Sequence, residues 1–228
     1  MRFSDAAKDG RAVVYAGIQA DPLVARAAAF LADAGTTERL LARAVMNGES
    51  TDPSTWRTMF PTLFGPAASE ADRGRAEAVL DVAIRVADRG EQVRSQFRGA
   101  IVEELTAVLL ARRVGASAVR RERRIQFDGV RSEIHPYDVT VERDGSPEAF
   151  DCKWGARGIN ADVLHQLDDA RAHAADEDVR LPVALVVFDA ERSCRVRLER
   201  QTAPFGETGL ITLESLDALA EPRPGDAS

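Results

Sequence analysis

Two short alternating segments separated by a turn constrain this chain more than any other feature. From Ile134 to Glu142 the residues alternate, with Val139 and Val141 on one side and Asp138 and Thr140 on the other. From Phe150 to Trp154 the pattern returns, Phe150, Cys152 and Trp154 opposing Asp151 and Lys153. A strand turns successive side chains to opposite faces, so each segment reads as a strand with one apolar and one ionisable face. Arg143-Asp144-Gly145-Ser146-Pro147-Glu148 supplies the turn between them. A hairpin centred between Gly145 and Ser146 pairs Asp138 with Lys153, Thr140 with Asp151 and Val141 with Phe150. Both aspartates and the lysine then share one face, and a slip of one residue would undo the agreement.

Lys153 matters for a second reason. Lys8 and Lys153 are the only lysines among 30 basic residues, so arginine carries nearly all the positive charge. A lysine kept inside a strand is expected to serve as a compact, proton-exchanging ammonium that a guanidinium cannot imitate. With 37 acids in 228 residues, an acid two positions before one of two lysines should arise by chance roughly a third of a time. The tripeptide gains its force from the strand context.

Composition narrows the class. At 228 residues and 45% hydrophobic, the chain can bury one good core and still carry a helical extension. Neither a run of 18 apolar residues nor the apolar stretch of a signal peptide is present, which leads to the expectation of a soluble, cytoplasmic protein without membrane contact. Cys152 and Cys194 are expected to be free buried thiols, and no Cys/His cluster suggests structural zinc. The net charge of −7 argues against indiscriminate nucleic-acid affinity. Its distribution is uneven, however. Between residues 112 and 131 the arginines Arg112, Arg113, Arg120, Arg121, Arg123, Arg124 and Arg131 face only Glu122 and Asp128. Such a patch suits backbone phosphates, and equally suits an exposed strand solvated by arginine.

The first ninety residues read as helices. Asp21-Pro22 and Thr36-Thr37 open two of them, ending near Gly35 and Asn47-Gly48; Asp52-Pro53 opens a short aromatic piece holding Trp56, Met59, Phe60 and Phe64; Ser69-x-x-Asp72 opens another that reaches Arg89-Gly90. From Glu91, Phe97, Ile101, Leu105 and Val108 recur at helical spacing, predicting a helix that ends near Val114-Gly115. Glu104 sits beside that apolar stripe, whereas Glu103 points more nearly opposite. A helix over about 161–175 carries His165 and Gln166, Pro182 to Phe188 reads as a buried strand, Cys194 to Leu198 as a neighbouring strand, Ile211 to Leu219 as a short strand or helix, and residues 220–228 as a loose tail.

Pro136-Tyr137-Asp138, a twelve-residue gap and Asp151-Cys152-Lys153 together resemble the active-site signature of the PD-(D/E)XK nuclease superfamily. The resemblance covers about residues 92–219. It implies an α/β restriction-endonuclease-like core, a mixed central sheet flanked by helices, with residues 1–91 as an α-helical region for dimerisation or partner contact. It implies Mg²⁺, replaceable by Mn²⁺, held by Asp138, Asp151, Glu104 and the carbonyl of Cys152. Glu104 also precedes Gly115 by the interval seen in resolvase-like and Mrr-like branches. Lys153 would orient or deprotonate the attacking water. In several branches the following helix bears a Gln with Tyr four residues on; here Gln166 is followed by Ala170, so that part of the pattern is incomplete. The expected activity is hydrolysis of DNA phosphodiesters, as a homodimer or larger assembly, with Arg120, Arg121, Arg123 and Arg124 contacting the nucleic acid. The alternatives are a catalytically inactive nucleic-acid-binding subunit of the same fold and an RNA-directed nuclease.

Overall fold

Short strands, some consecutive in the chain and some separated by helices, build a mixed sheet. The computed structural model describes residues 1–6, 10–48, 50–129, 135–143, 145–201, 205–206 and 208–223, with side chains of the first helix from residue 14 onward. The strands, in spatial and chain order alike, are β1 (Arg2–Asp5), β2 (Val119–Gln126), β3 (Tyr137–Val141), β4 (Glu148–Lys153), β5 (Val183–Val187) and β6 (Gly209–Thr212). β1 to β4 pair antiparallel, and β4, β5 and β6 pair parallel. Parallel strands need a crossover, supplied here by α8 (Ala161–Asp176) between β4 and β5 and by α9 (Glu191–Leu198) between β5 and β6. β5 is buried along its whole length, which explains why its sequence is continuously apolar rather than alternating.

The chain divides into two compact units, Met1–Asp9 with Thr106–Ser228, and Gly10–Leu105. The second unit holds α1 (Gly10–Gln19), α2 (Pro22–Ala32), α3 (Thr36–Asn47), α4 (Pro53–Met59), α5 (Pro61–Phe64), α6 (Glu70–Ala87) and the first part of α7 (Glu91–Val114). Its helix starts follow the side-chain caps that the sequence announces. Asp21 accepts from the Leu23 N–H at 2.8 Å, Asp52 from the N–H groups of Ser54 and Thr55 at 3.1 Å, and Ser69 from the Asp72 N–H at 3.1 Å. The hydroxyls of Ser54 and Thr55, with those backbone donors, hold the Asp52 carboxyl at about 2. Val24, Leu31, Leu41, Val45, Leu80 and Val82 are buried in this unit. Trp56 is buried too and donates its indole N–H to the Ser50 carbonyl at 2.9 Å, so it belongs to the packing, whereas Met59 is 61% exposed.

Three readings of the sequence need correction. The division at residue 91 does not follow the packing, because β1 belongs to the sheet and α7 runs unbroken through residues 105 and 106. Cys194 to Leu198 lies in helix α9 rather than a strand: Cys194 is fully buried and Leu198 packs against the same core, but Val196 is 42% exposed, so the apolar spacing is i, i+4 and not alternating. Ile211 to Leu219, read as a short strand or helix, holds the end of β6 and then a 3₁₀ turn at Leu216–Leu219. The tail begins fastened, since Arg223 pairs at 2.5 Å with buried Glu148, which also pairs with Arg113; residues 224–228 lie outside the described ones. Both cysteines are free and buried, as expected. Among the described residues no helix is long and apolar enough to cross a membrane.

Candidate active site

The β3–β4 hairpin forms, with a register two residues away from the expected one. Val139 pairs with Phe150, Thr140 with Ala149 and Val141 with Glu148, and one further step sets Asp138 opposite Asp151. The turn is responsible. Gly145 adopts φ +74, a left-handed conformation that glycine takes without steric penalty, and the Ser146 N–H closes on the Arg143 carbonyl at 3.2 Å. Pro147 has no N–H to give to a ladder, so pairing begins at Glu148. A slip of two residues keeps every side chain on its face, and the gathering of Asp138, Asp151 and Lys153 therefore survives the change.

Asp138 accepts the Cys152 N–H at 2.6 Å, which locks its carboxylate across β4. Lys153 forms an ion pair with Asp151. The lysine side chain is 25% exposed, whereas Asp151 as a whole residue is only 6% exposed. Burial works to lower the Lys153 pKa, but the charges of Asp151 and Asp138 outweigh it and hold the ammonium above its ordinary value. Two carboxylates thus converge on one cation at the mouth of a buried strand. The Cys152 thiol points away from them, 3.5 Å from the Thr106 hydroxyl, so only its backbone carbonyl could serve a metal. The lysine's own carbonyl is braced by the Phe188 N–H at 2.9 Å, and Trp154 stacks on Phe188 with ring centroids 5.0 Å apart.

A further acid reaches this site that the sequence reading did not select. Glu122 comes within 4.8 Å of Asp138, carboxylate oxygen to carboxylate oxygen. The β2–β3 register runs through Arg121↔Val139 and resumes at Arg123↔Tyr137, leaving Glu122 beside Asp138 at φ +52. Left-handed backbone at a residue other than glycine costs of order 1–3 kcal/mol and persists only where its surroundings impose it. The only signal available in the sequence was an acid isolated among arginines at 120–124. Glu122 and Asp138 thus offer carboxylate oxygens within reach of one another, the donor type that hard divalent cations take.

Glu103 and Glu104 lie on α7 in the helical unit. Glu103 is the buried one, at 5% exposure, accepting from the Tyr15 hydroxyl at 2.5 Å and the Gln19 amide at 2.7 Å, while Glu104 is half-buried. The reading that Glu103 points away from the apolar stripe fails as a measure of burial because Val102 and Leu109 bury a second side of the helix. Gln166 donates to the His135 carbonyl at 3.0 Å, and its own carbonyl accepts the Tyr137 hydroxyl at 3.3 Å, so it steadies the segment leading into Asp138; His165 is exposed.

The arginine patch separates into two kinds. Arg120 is exposed, and its guanidinium donates to its neighbour's carbonyl, at 2.9 Å from Val119. Arg123 is largely buried between Glu142, at 2.6 Å, and Asp5, and the side chain of Arg113 is fully buried against Glu148. Arg121 and Arg124 are half-buried, Arg112 is exposed, and Arg131 lies outside the described residues.

No protein-family model matches the chain, and no curated protein does. Among solved structures the chain is similar to the crystal structure of protein VC1899 from Vibrio cholerae, at 17% identity and a TM-score of 0.42, over 96% of this chain and 56% of that one. The chain thus spans little more than half the length of that protein.

Proposed function

We propose that the protein is a metal-dependent nuclease of the PD-(D/E)XK type, with a restriction-endonuclease-like core, that hydrolyses phosphodiester bonds of DNA. One observation carries this reading: Asp138 and Asp151 meet Lys153 at the end of β4. Asp138, Asp151 and Glu122 would hold Mg²⁺, or Mn²⁺ in its place, with the Cys152 carbonyl beside them. A divalent ion in such a site neutralises phosphate charge and lowers the pKa of bound water toward about 7.

The rest of the work falls to the chain. Asp138 is held by the Cys152 N–H and Asp151 by Lys153, which limits the freedom that either carboxylate would lose on taking up a metal. Lys153 keeps its proton at neutral pH beside these carboxylates, so it is suited to orient the attacking water and to neutralise negative charge that develops on the phosphoryl oxygens. Glu104, the acid first assigned to this site, is proposed as an auxiliary whose loss reduces activity less. Cutting both strands of a duplex requires two such sites, and we propose a homodimer or larger assembly to supply them.

Incubation with plasmid, linear duplex, single-stranded DNA and RNA, each with Mg²⁺, Mn²⁺ or EDTA, tests the reading. DNA cleavage that needs metal and falls by about 100-fold or more in Lys153→Ala, Asp138→Ala and Asp151→Ala is the expected outcome. Cleavage of RNA alone would redirect the substrate. Binding without cleavage under every metal would replace the enzyme by a nucleic-acid-binding subunit.

A further inference from the structure

The turn that follows β4 is built against the lysine. After Lys153 the chain enters a 3₁₀ turn at Ala156–Gly158, in which the Gly158 N–H donates to the Gly155 carbonyl at 2.8 Å and the Ile159 N–H to the Ala156 carbonyl at 3.1 Å. A Cβ placed on Gly158 would lie 3.0 Å from Cβ and Cδ of Lys153 and 3.1 Å from its Cγ. Gly158 does not occupy the left-handed region, so its backbone conformation would admit other residues. What a side chain would meet there is the lysine stem, which would have to give by a few tenths of an ångström to admit it.

Asp189 anchors this turn from the end of β5. It is 6% exposed, and its two carboxylate oxygens accept from the buried Ala156 N–H at 2.9 Å and from the Ala190 N–H at 2.8 Å. The residue before it, Phe188, donates its N–H to the Lys153 carbonyl. One buried carboxylate therefore ties the turn after β4 to the strand that already grips the lysine backbone. A free lysine side chain has many rotamers to lose, and a stem pressed between its own strand and a fixed turn has given up much of that freedom before any substrate arrives.

We propose that Gly158 and Asp189 are positioning residues for Lys153, Gly158 as the surface that directs its stem toward Asp151 and Asp138, and Asp189 as the anchor that keeps that surface in place. The catalytic part of this inference rests on the nuclease reading; the contact does not. Gly158→Ala in the full chain is expected to lower kcat at least tenfold while the DNA Kd and the Mg²⁺ concentration for half-maximal activity stay within twofold. Asp189→Asn, which turns an amide NH₂ toward one of two N–H donors, should lower kcat in the same manner.

Thermal unfolding of the same substitutions separates the two layers. If Gly158 acts on Lys153, Gly158→Ala lowers Tm in the otherwise unaltered protein and lowers it far less in a Lys153→Ala background, where the clashing stem is gone. An equal loss of Tm in both backgrounds would overturn the contact. Coupled Tm values with wild-type kcat in Gly158→Ala would overturn the positioning role. An unaltered protein that cuts no substrate, with the Tm coupling intact, would overturn the nuclease reading and leave a lysine held in place by Gly158.

Discussion

In the helical unit Arg57 lies 2.8 Å from Glu77 and Arg85 3.0 Å from Asp81, all four side chains 40% or more exposed. In the sheet unit Asp151 is buried against Lys153, and Glu148 lies buried between Arg113 and Arg223. Exposed pairs contribute about 0–1 kcal/mol, so many sequences would serve in the first setting. Buried pairs repay their desolvation only when geometry and partners are complete, and apolar residues often do as well. The difference teaches where to look for chemistry. Charge at the helical surface needs no partner other than water, whereas two carboxylates and a scarce lysine kept inside a sheet are retained for something that packing does not require.

The sharpest way to break that contrast is to remove the cation. Lys153→Ala leaves Asp151 buried without its partner and opposite Asp138, so in EDTA it should cost about 3 kcal/mol. Mg²⁺ should restore more stability to this variant than it adds to the unaltered protein. Urea unfolding with and without Mg²⁺ measures both quantities, and equal stability in EDTA would show that the carboxylates do not depend on the lysine. The pH dependence has a defined sign. The Lys153 pKa is raised by folding, so its contribution is complete below the ordinary value of 10.5 and disappears as pH rises through the higher folded value. Lys153→Ala should therefore lose stability across the neutral range and lack the alkaline loss expected from this group in the unaltered protein.

A smaller effect tests whether buried charge in the helical unit follows the same rule. Glu103→Ala removes the buried carboxylate that accepts from the Tyr15 hydroxyl and the Gln19 amide, which should cost about 1–3 kcal/mol by chemical denaturation. Glu104→Ala, at a half-buried position, should cost less. The reverse order would return Glu104 to the place that the helical stripe suggested.

The two units were not equally legible. Helix starts in the helical unit were readable because Asp21, Asp52 and Ser69 are local signals, each acting within three residues of itself. Sheet features depend on distant partners. The face shared by Asp138, Asp151 and Lys153 could be read because alternation is local, but the register could not, since it turned on whether Gly145 or Ser146 took the tight position and on the missing N–H of Pro147. Glu122 joins Asp138 through a ladder between β2 and β3 that no spacing announces. β1 is four residues long, too short for its own periodicity to identify. Five residues from Cys194 to Leu198 fit alternation and helical spacing alike, and only the exposure of Val196 decides between them.

The smallest expected effect concerns the arginines, where the same contrast runs through a single strand. Arg120 is exposed with no acidic partner among the described residues, whereas Arg123 is consumed by Glu142 and Asp5. If β2 contacts duplex DNA, Arg120→Ala should lower the slope of log Kd against log salt by about 0.9, which amounts to about a threefold change in affinity between 50 and 200 mM salt. Arg123→Ala should leave that slope nearly unchanged, because its charge is already neutralised. It should instead lower Tm by loosening the junction of β1, β2 and the end of β3 that Asp5 and Glu142 share with it. Salt titrations of binding and thermal unfolding of both variants separate the roles. A slope change in Arg123→Ala equal to that in Arg120→Ala would mean that the ion pairs open on binding and that the whole strip, rather than its exposed member, meets the phosphates.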